Sequence, residues 1–353
     1  MTLSGGLSRP GERDRPIIKF MEIDWTFCLA LCMIAGTGAL MLFSIAGAQW
    51  EPWAARHLIR FGIYFVIMVA LAMVDLRIWF MIAYPVYGVG LLLLVAVALV
   101  GDSSLGAQRW LALGPVRFQP SEVMKIGVVL ALARYYHGLS SDSARLSWRL
   151  IVPAALIGMP VLLVAHQPDL GTAMLIAMTG LAIVVLAGLD WRIMAAGVIG
   201  ALVAIPPFVL FVLHDYQRNR ILTFLHPEND PSGNGYHIMQ SKIALGSGGL
   251  MGKGFGLGSQ SQLNFLPEKQ TDFIFATLAE EFGFLGCFAV LFLYGAVIFM
   301  ALRIASISHS HFGRLAAAGT TATFALYVLI NGAMVMGLAP VVGVPMPMLS
   351  YGG

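Results

Sequence analysis

The sequence predicts an all-α polytopic membrane protein. It would have about ten transmembrane helices, the last cut short at the chain end, and a large extracytoplasmic loop between helices 7 and 8. Three observations predict this. Of 353 residues, 58% are hydrophobic and 11% charged, whereas a soluble domain carries about 25% charged residues. Apolar runs of about 17–25 residues recur, each long enough to cross a hydrocarbon core of roughly 30 Å. One long polar segment, from about His214 to Thr271, interrupts them.

Taken in order, residues 1–23 read as a polar, basic cytoplasmic tail with no cleavable signal peptide, and 24–353 as the transmembrane domain that includes the 214–271 loop. Spans are expected at 24–47, 58–75, 78–100, 119–137, 150–165, 171–189, 192–213, 272–302 and 314–337, with a tenth starting near Met346. Pro153 and Pro160 kink the fifth, and Pro206–Pro207 the seventh, because proline removes a helical donor. Arg9, Arg13, Arg15 and Lys19 precede the first span, and Arg77, Arg145, Arg149, Arg192, Arg303 and Arg314 fall in alternate loops. Positive charge stays inside, so the N-terminus is assigned to the cytoplasm of a cytoplasmic (inner) membrane protein. Residues 101–118, the Gln167–Thr172 corner, the 214–271 loop and the 338–349 loop then share the outer face.

A net charge of +3 is too small to argue for a nucleic-acid partner. Cys28, Cys32 and Cys287 lie in apolar runs and read as small buried hydrophobes rather than metal ligands. Gly246-Ser-Gly-Gly249 and Gly252-Lys-Gly-Phe-Gly-Leu-Gly258 lack the Gly-Lys-Ser/Thr ending of a phosphate loop and follow no strand. Residues 236–245 read as a short amphipathic helix whose Ile238, Ile243 and Leu245 can lie on the membrane surface.

Ionisable groups near or inside a membrane are costly and are usually kept for a function. Glu122 and Lys125 share a helical face at i,i+3, as a structural ion pair or a functional one. Gln119 or Ser121 begins that helix, with Pro120 at its first position. Arg109 beside Trp110 is a loop anchor or a ligand for an anionic head group. Asp169 caps the sixth helix or lines a substrate groove. Asp272 opens the eighth span, as a cap at Thr271 or Asp272, or as a functional carboxylate beside the loop. Glu280 lies roughly 12 Å deeper along the axis, and Glu281 points to the opposite side. One of the two glutamates is therefore expected to serve a helix–helix contact.

These residues carry a resemblance. Gly106-Ala-Gln-Arg-Trp110, Arg117-Phe-Gln-Pro-Ser-Glu-Val-Met-Lys125, Gln167-Pro-Asp-Leu-Gly-Thr172, Gly235-Tyr-His-Ile-Met-Gln-Ser241, Leu263-Asn-Phe-Leu-Pro-Glu-Lys-Gln-Thr-Asp-Phe-Ile-Phe-Ala276 and Pro340-Val-Val-Gly-Val-Pro345, with the closing Ser350-Tyr-Gly-Gly353, resemble the SEDS (shape, elongation, division, sporulation) family. Their forms favour its RodA branch over its FtsW branch. The resemblance runs in order from about residue 16 to the end. It implies a ten-helix peptidoglycan glycosyltransferase that polymerises lipid II on the outer face. The implied partners are a class B penicillin-binding protein (a transpeptidase) and the elongation machinery. It also implies that the family's catalytic aspartate falls at Asp272 and its ion pair at Glu122 and Lys125, with Arg109 and Asp169 at further functionally sensitive positions.

The chemistry needs a base for the acceptor hydroxyl and cations for the departing diphosphate. Arg109, Arg218, Arg220, Lys242, Lys253 and Lys269 fall on the outer face, and a divalent cation such as Mg or Mn could share their task. No ligand cluster in the sequence settles the metal. Two other classes stay open, a lipid-precursor flippase or transporter and a non-catalytic scaffold for a transpeptidase.

Overall fold

The computed structural model describes residues 16–353 apart from 101, 105–106, 114–115, 140–146, 168, 198, 201–202, 204–217, 219–221, 225, 227–229, 231–232, 264 and 267. A short α1 (Pro16–Met21) leads to α2 (Trp25–Ile45), whose first amides are capped by Asp24. α3 (Ala54–Ala72) and α4 (Leu76–Val100) follow. Then come three short strands, β1 (Asp102–Ser104), β2 (Ala107–Leu113) and β3 (Val116–Phe118), and α5 (Pro120–His137). After α6 (Ile151–His166) and α7 (Leu170–Leu186) the chain continues through α8 (Asn234–Ser247), α9 (Ser259–Gln262), α10 (Ile274–Ile307) and α11 (His311–Val335).

Among the described residues, six helical segments are long and apolar enough to cross a membrane: Trp25–Ile45, Ala54–Ala72, Leu76–Leu99, Trp148–His166, Ile274–Ile307 and His311–Val335. α7 is apolar but shorter. α5 carries Glu122, Lys125 and Arg134 and is not among the six. The expected 192–213 span and the start of the large loop fall mostly outside the described residues. Two expectations are corrected. The third loop is not plain loop: β2 pairs antiparallel with both neighbours, Asp102 opposite Trp110 and Leu111 opposite Phe118. No helix starts near Met346, where the chain runs in turns to Gly352. Pro345 and Pro347 withhold two amide donors there, and the Ser350 hydroxyl takes the Met346 amide instead.

The core has two main parts. One joins α2, α8, α10 and α11 around Ile34, Leu42, Ile274, Tyr294 and Met334. The other joins α4, α5, α6 and α7 around Leu94, Met124, Leu132 and Ile176. α3 buries only Ala54 and His57, and long apolar side chains on α3, α4, α6 and α10 are exposed, as lipid-facing surfaces are. Cys28 is buried, Cys287 half-buried and Cys32 exposed, so burial holds for only part of the cysteine set. α8 turns Ile238 inward, 2% exposed, and leaves Ile243 outside. Its apolar face is thus shared between the core and the surroundings.

α10 is broken at Gly283, whose φ of 64° and ψ of −160° lie outside helical space. The glycine-rich segment 248–254 fills the break. Lys253 N donates to Glu280 O and Gly254 N to Glu281 O, while Phe284 N and Leu285 N donate to the carbonyls of Gly249 and Leu250. Every backbone group freed by the kink is a liability inside a membrane, and here the loop satisfies four of them. The approach is close enough that a Cβ at Gly248, Gly252 or Gly283 would overlap neighbouring backbone.

Candidate active site

The turn before α10 carries Asp272. α10 begins at Ile274 with Phe273 in the N-cap position, so neither Thr271 nor Asp272 holds the capping place expected of it. Three successive carbonyls of this turn are gripped from the far end of the chain. Gln270 O accepts from Tyr351 N at 2.8 Å, Thr271 O from Ser350 Oγ at 2.6 Å, and Asp272 O from Asn331 Nδ2 at 2.8 Å. Asn331 Nδ2 also reaches Val344 O at 2.7 Å, and the Tyr294 hydroxyl holds Pro347 O at 2.6 Å. Residues 338–351 thus form a strap across the turn. Gly343 lies beside the half-buried Asp272: a Cβ there would stand 3.6 Å from Oδ2.

α7 meets the strap from the other side. Its Gly171 comes so near that a Cβ would fall 2.6 Å from Val342 O. Asp169 caps this helix, accepting from Thr172 N at 3.3 Å and Thr172 Oγ1 at 2.9 Å, and is 5% exposed. Capping is therefore real at Asp169, and the cap faces the same neighbourhood as Asp272. Its carboxylate is also within electrostatic reach of Lys125.

Lys125 is buried and pairs with Glu122 at 2.8 Å, while the Glu122 side chain keeps 54% of its exposure. Of the two starts the sequence leaves open, the structure takes Gln119 as the N-cap, with Pro120 the first helical residue. Tyr327 on α11 closes the group. Its ring lies 4.4 Å from Lys125 Nζ and its hydroxyl 3.2 Å from Glu122 Oε2. Asp169, Glu122, Lys125 and Asp272 are thereby gathered around α11 and the strap.

Of the other candidate cations, the structure describes the side chains of Lys269, Lys242, Arg218 and Lys253. Lys269 is 8% exposed, donates to Ser261 O, and is held below its ordinary value by burial. That geometry braces the loop rather than presenting a cation to solvent. Lys242 is exposed on α8, with its stem against Gly337. Arg218 is exposed in a helical position; Arg220 lies outside the described residues. Arg109 falls on β2, with its side chain outside what the structure describes. Lys253 is committed to Glu280 at 2.7 Å.

The two deep glutamates divide as the helical wheel implies. Glu280, fully buried, accepts from Lys253, Ser259 and the Gln260 amide and anchors the glycine-rich loop. Glu281 accepts from Ser44 of α2, a helix–helix contact. Sequence reasoning missed Tyr327 and Asn331. A lone Asn inside an apolar span is itself a signal, because an amide in lipid needs partners. Among the described residues, no three His, Cys, Asp or Glu side chains gather as a metal site.

Comparison with known proteins gives a consistent result. The family profile of FtsW, RodA and SpoVE, described as a cell cycle protein, matches residues 20–353. The chain is 46% identical over 334 residues to the peptidoglycan glycosyltransferase MrdB of Escherichia coli K12, covering 94% of this chain and 89% of that one. It is 35% identical to the probable peptidoglycan glycosyltransferase FtsW of Trichlorobacter lovleyi, over 96% and 91% of the two chains. Among solved structures, a chain from work on polymerization and crosslinking by a peptidoglycan synthase complex superposes with a TM-score of 0.80 at 31% identity, covering 94% and 92%. The rod shape determining protein RodA of Thermus thermophilus superposes with a TM-score of 0.69 at 29% identity, covering 94% and 91%.

Proposed function

The chain belongs to the FtsW, RodA and SpoVE family of cell cycle proteins, and on that premise we propose that it is a peptidoglycan glycosyltransferase that polymerises lipid II into glycan strands during cell-wall elongation. The observation that carries the reading is Asp272, set where a polar loop meets an apolar helix and held by a strap from the other end of the chain. The identity to E. coli MrdB and the likeness to the synthase complex support the reaction class.

In this reading Asp272 accepts the proton of the acceptor sugar hydroxyl as that oxygen bonds to the donor's anomeric carbon. The bond from that carbon to the diphosphate oxygen breaks on the opposite side, with inversion. The lipid diphosphate leaves with the electron pair, and Asp272 returns its proton to water. A carboxylate is a weak base for an alcohol, so proximity within about 3 Å and timing in a concerted step carry the catalysis. Lys125, with Glu122 and Tyr327 fixing it, supplies positive potential near Asp169. Arg109, Arg218, Arg220 and Lys242 are the cations proposed for the diphosphate or the glycan, and Lys269 shapes the loop. A divalent cation, Mg or Mn, would supply further positive charge for the departing diphosphate beside these cations.

The topology proposed with this function is multi-pass in the cytoplasmic membrane. It has the nine spans expected between residues 24 and 337, a cytoplasmic N-terminus, and Asp272 and the 214–271 loop on the outer face. The proposed partners are a class B penicillin-binding protein and the elongation machinery. One experiment separates the classes: incubate purified protein, with and without its transpeptidase, with lipid II. Glycan polymer supports the enzyme, lipid movement across vesicles without polymer supports a flippase, and neither supports a scaffold.

A further inference from the structure

The backbone of Asp272 is held by a side chain that no catalytic role accounts for. Asn331 is 0% exposed near the C-terminal end of α11, and its Nδ2 bridges Asp272 O and Val344 O. Its Oδ1 is buried without a hydrogen-bond partner. An asparagine kept only for packing would be better served by an apolar residue of the same size, since an unmet buried acceptor is costly. One turn earlier on the same face, Tyr327 touches Lys125 and Glu122. The same helix face therefore fixes both the buried cation and the turn that carries the carboxylate. Ser350 extends the grip, since its hydroxyl accepts from Met346 N while donating to Thr271 O.

We propose that Asn331, assisted by Ser350, is a positioning residue that sets the place of the Asp272 carboxylate by locking the carbonyls of Thr271 and Asp272 to α11 and the strap. This rests on the reading of Asp272 as the base. A base must sit within hydrogen-bond reach of the hydroxyl, and a misplacement of 1 Å costs roughly 100-fold in rate. Loss of the lock therefore falls on kcat and leaves lipid binding alone.

The test uses the full chain in complex with its transpeptidase, with lipid II as substrate. Asn331→Leu keeps the volume and removes both donated bonds. The expected result is a fall in kcat of about 10- to 100-fold with KM within about twofold. Thr323→Val, which removes the Thr179 contact farther along α11, is the control and retains wild-type kcat. The double variant with Asp272→Asn should be no slower than Asp272→Asn alone, because Asn331 acts through Asp272. If Asn331→Leu does not accumulate, Ser350→Ala takes its place, with the same fall in kcat expected and the same outcomes deciding. Wild-type kcat in the variant tested, or a loss shared equally by Thr323→Val, overturns the proposal while a dead Asp272→Asn leaves the base reading standing. Full activity in Asp272→Asn overturns both.

Discussion

Replacing Gly248 by alanine tests how the broken helix is held. Gly248 has an ordinary helical φ of −73°, so alanine brings no backbone strain. What it brings is a Cβ that overlaps the Ala279 carbonyl oxygen. The loop must retreat, and its four bonds into the break, at 3.0, 3.0, 2.9 and 3.2 Å, must lengthen or part. At about 1 kcal/mol net for each of the four hydrogen bonds, with about 1–3 kcal/mol for overpacking, the local cost comes to roughly 5–7 kcal/mol. Hydrogen exchange by mass spectrometry in nanodiscs reads it at residues 248–258 and 283–286. Protection there should fall at least about 100-fold, since 1.4 kcal/mol corresponds to a factor of ten. Gly246→Ala is the matched control, because a Cβ at Gly246 meets nothing within 4 Å and alanine favours the helix by roughly 0.5–1 kcal/mol. Equal protection in the two variants would refute the interlocking of loop and helix.

Further outcomes follow from the same contacts. Lys253→Met strips the cation from the fully buried Glu280; because the Lys253 side chain is 31% exposed, the loss should be about 2–3 kcal/mol, below the ~3–5 kcal/mol of a fully buried pair. Exchange at the amides of Lys253 and Gly254 measures it, and unchanged rates would count against the pair. Burial holds the His237 imidazole below its ordinary value of 6.5, against the opposite pull of Asp230 and Glu268. The unfolded state then binds the extra proton first as pH falls, so stability is lost below about pH 6.5 and the full penalty applies below the folded-state value. Thermal midpoints from pH 5 to 7.5 should slope upward in the parent and flatten in His237→Gln; parallel curves would exclude the effect. Tyr327→Phe keeps the ring over Lys125 and loses the bond to Glu122, a cost of about 1 kcal/mol. Tyr327→Ala also loses the cation–π contact and should cost roughly 1–2 kcal/mol more. Equal thermal shifts for the two would mean the ring contributes nothing.

Much of the fold was legible because lipid imposes long apolar runs, and Pro120 narrowed the start of α5 to Gln119 or Ser121. The turns after Met346 could not, because a few apolar residues between prolines look alike whether they open a helix or fold back. The strands of 102–118 left a usable signal, Gly114-Pro115 between residues of β type, that an expectation of plain loop passed over. Gly283 reads as an ordinary glycine in an apolar run; its left-handed conformation exists only because residues 248–254 arrive to bond the opened helix. The site was legible in its charged members, since Asp272, Asp169, Glu122 and Lys125 stand out against an apolar background. Lys269 and Lys253 stood out equally, but charge alone does not distinguish a ligand-facing lysine from one committed to a carbonyl or a carboxylate. Asn331 is neutral and distant in sequence, and its part depends on tertiary contacts.

The central claim is that the carboxylate of Asp272 takes the proton of the acceptor hydroxyl. Asp272→Asn keeps the shape and the backbone bonds to Asn331 while removing the base, and its rate of glycan polymerisation from purified lipid II, in complex with the transpeptidase, is the direct measurement. A fall of at least about 100-fold, as expected for loss of a general base, with lipid II binding and complex assembly intact, is the predicted result. Polymer made at the rate of the unaltered protein would contradict the account.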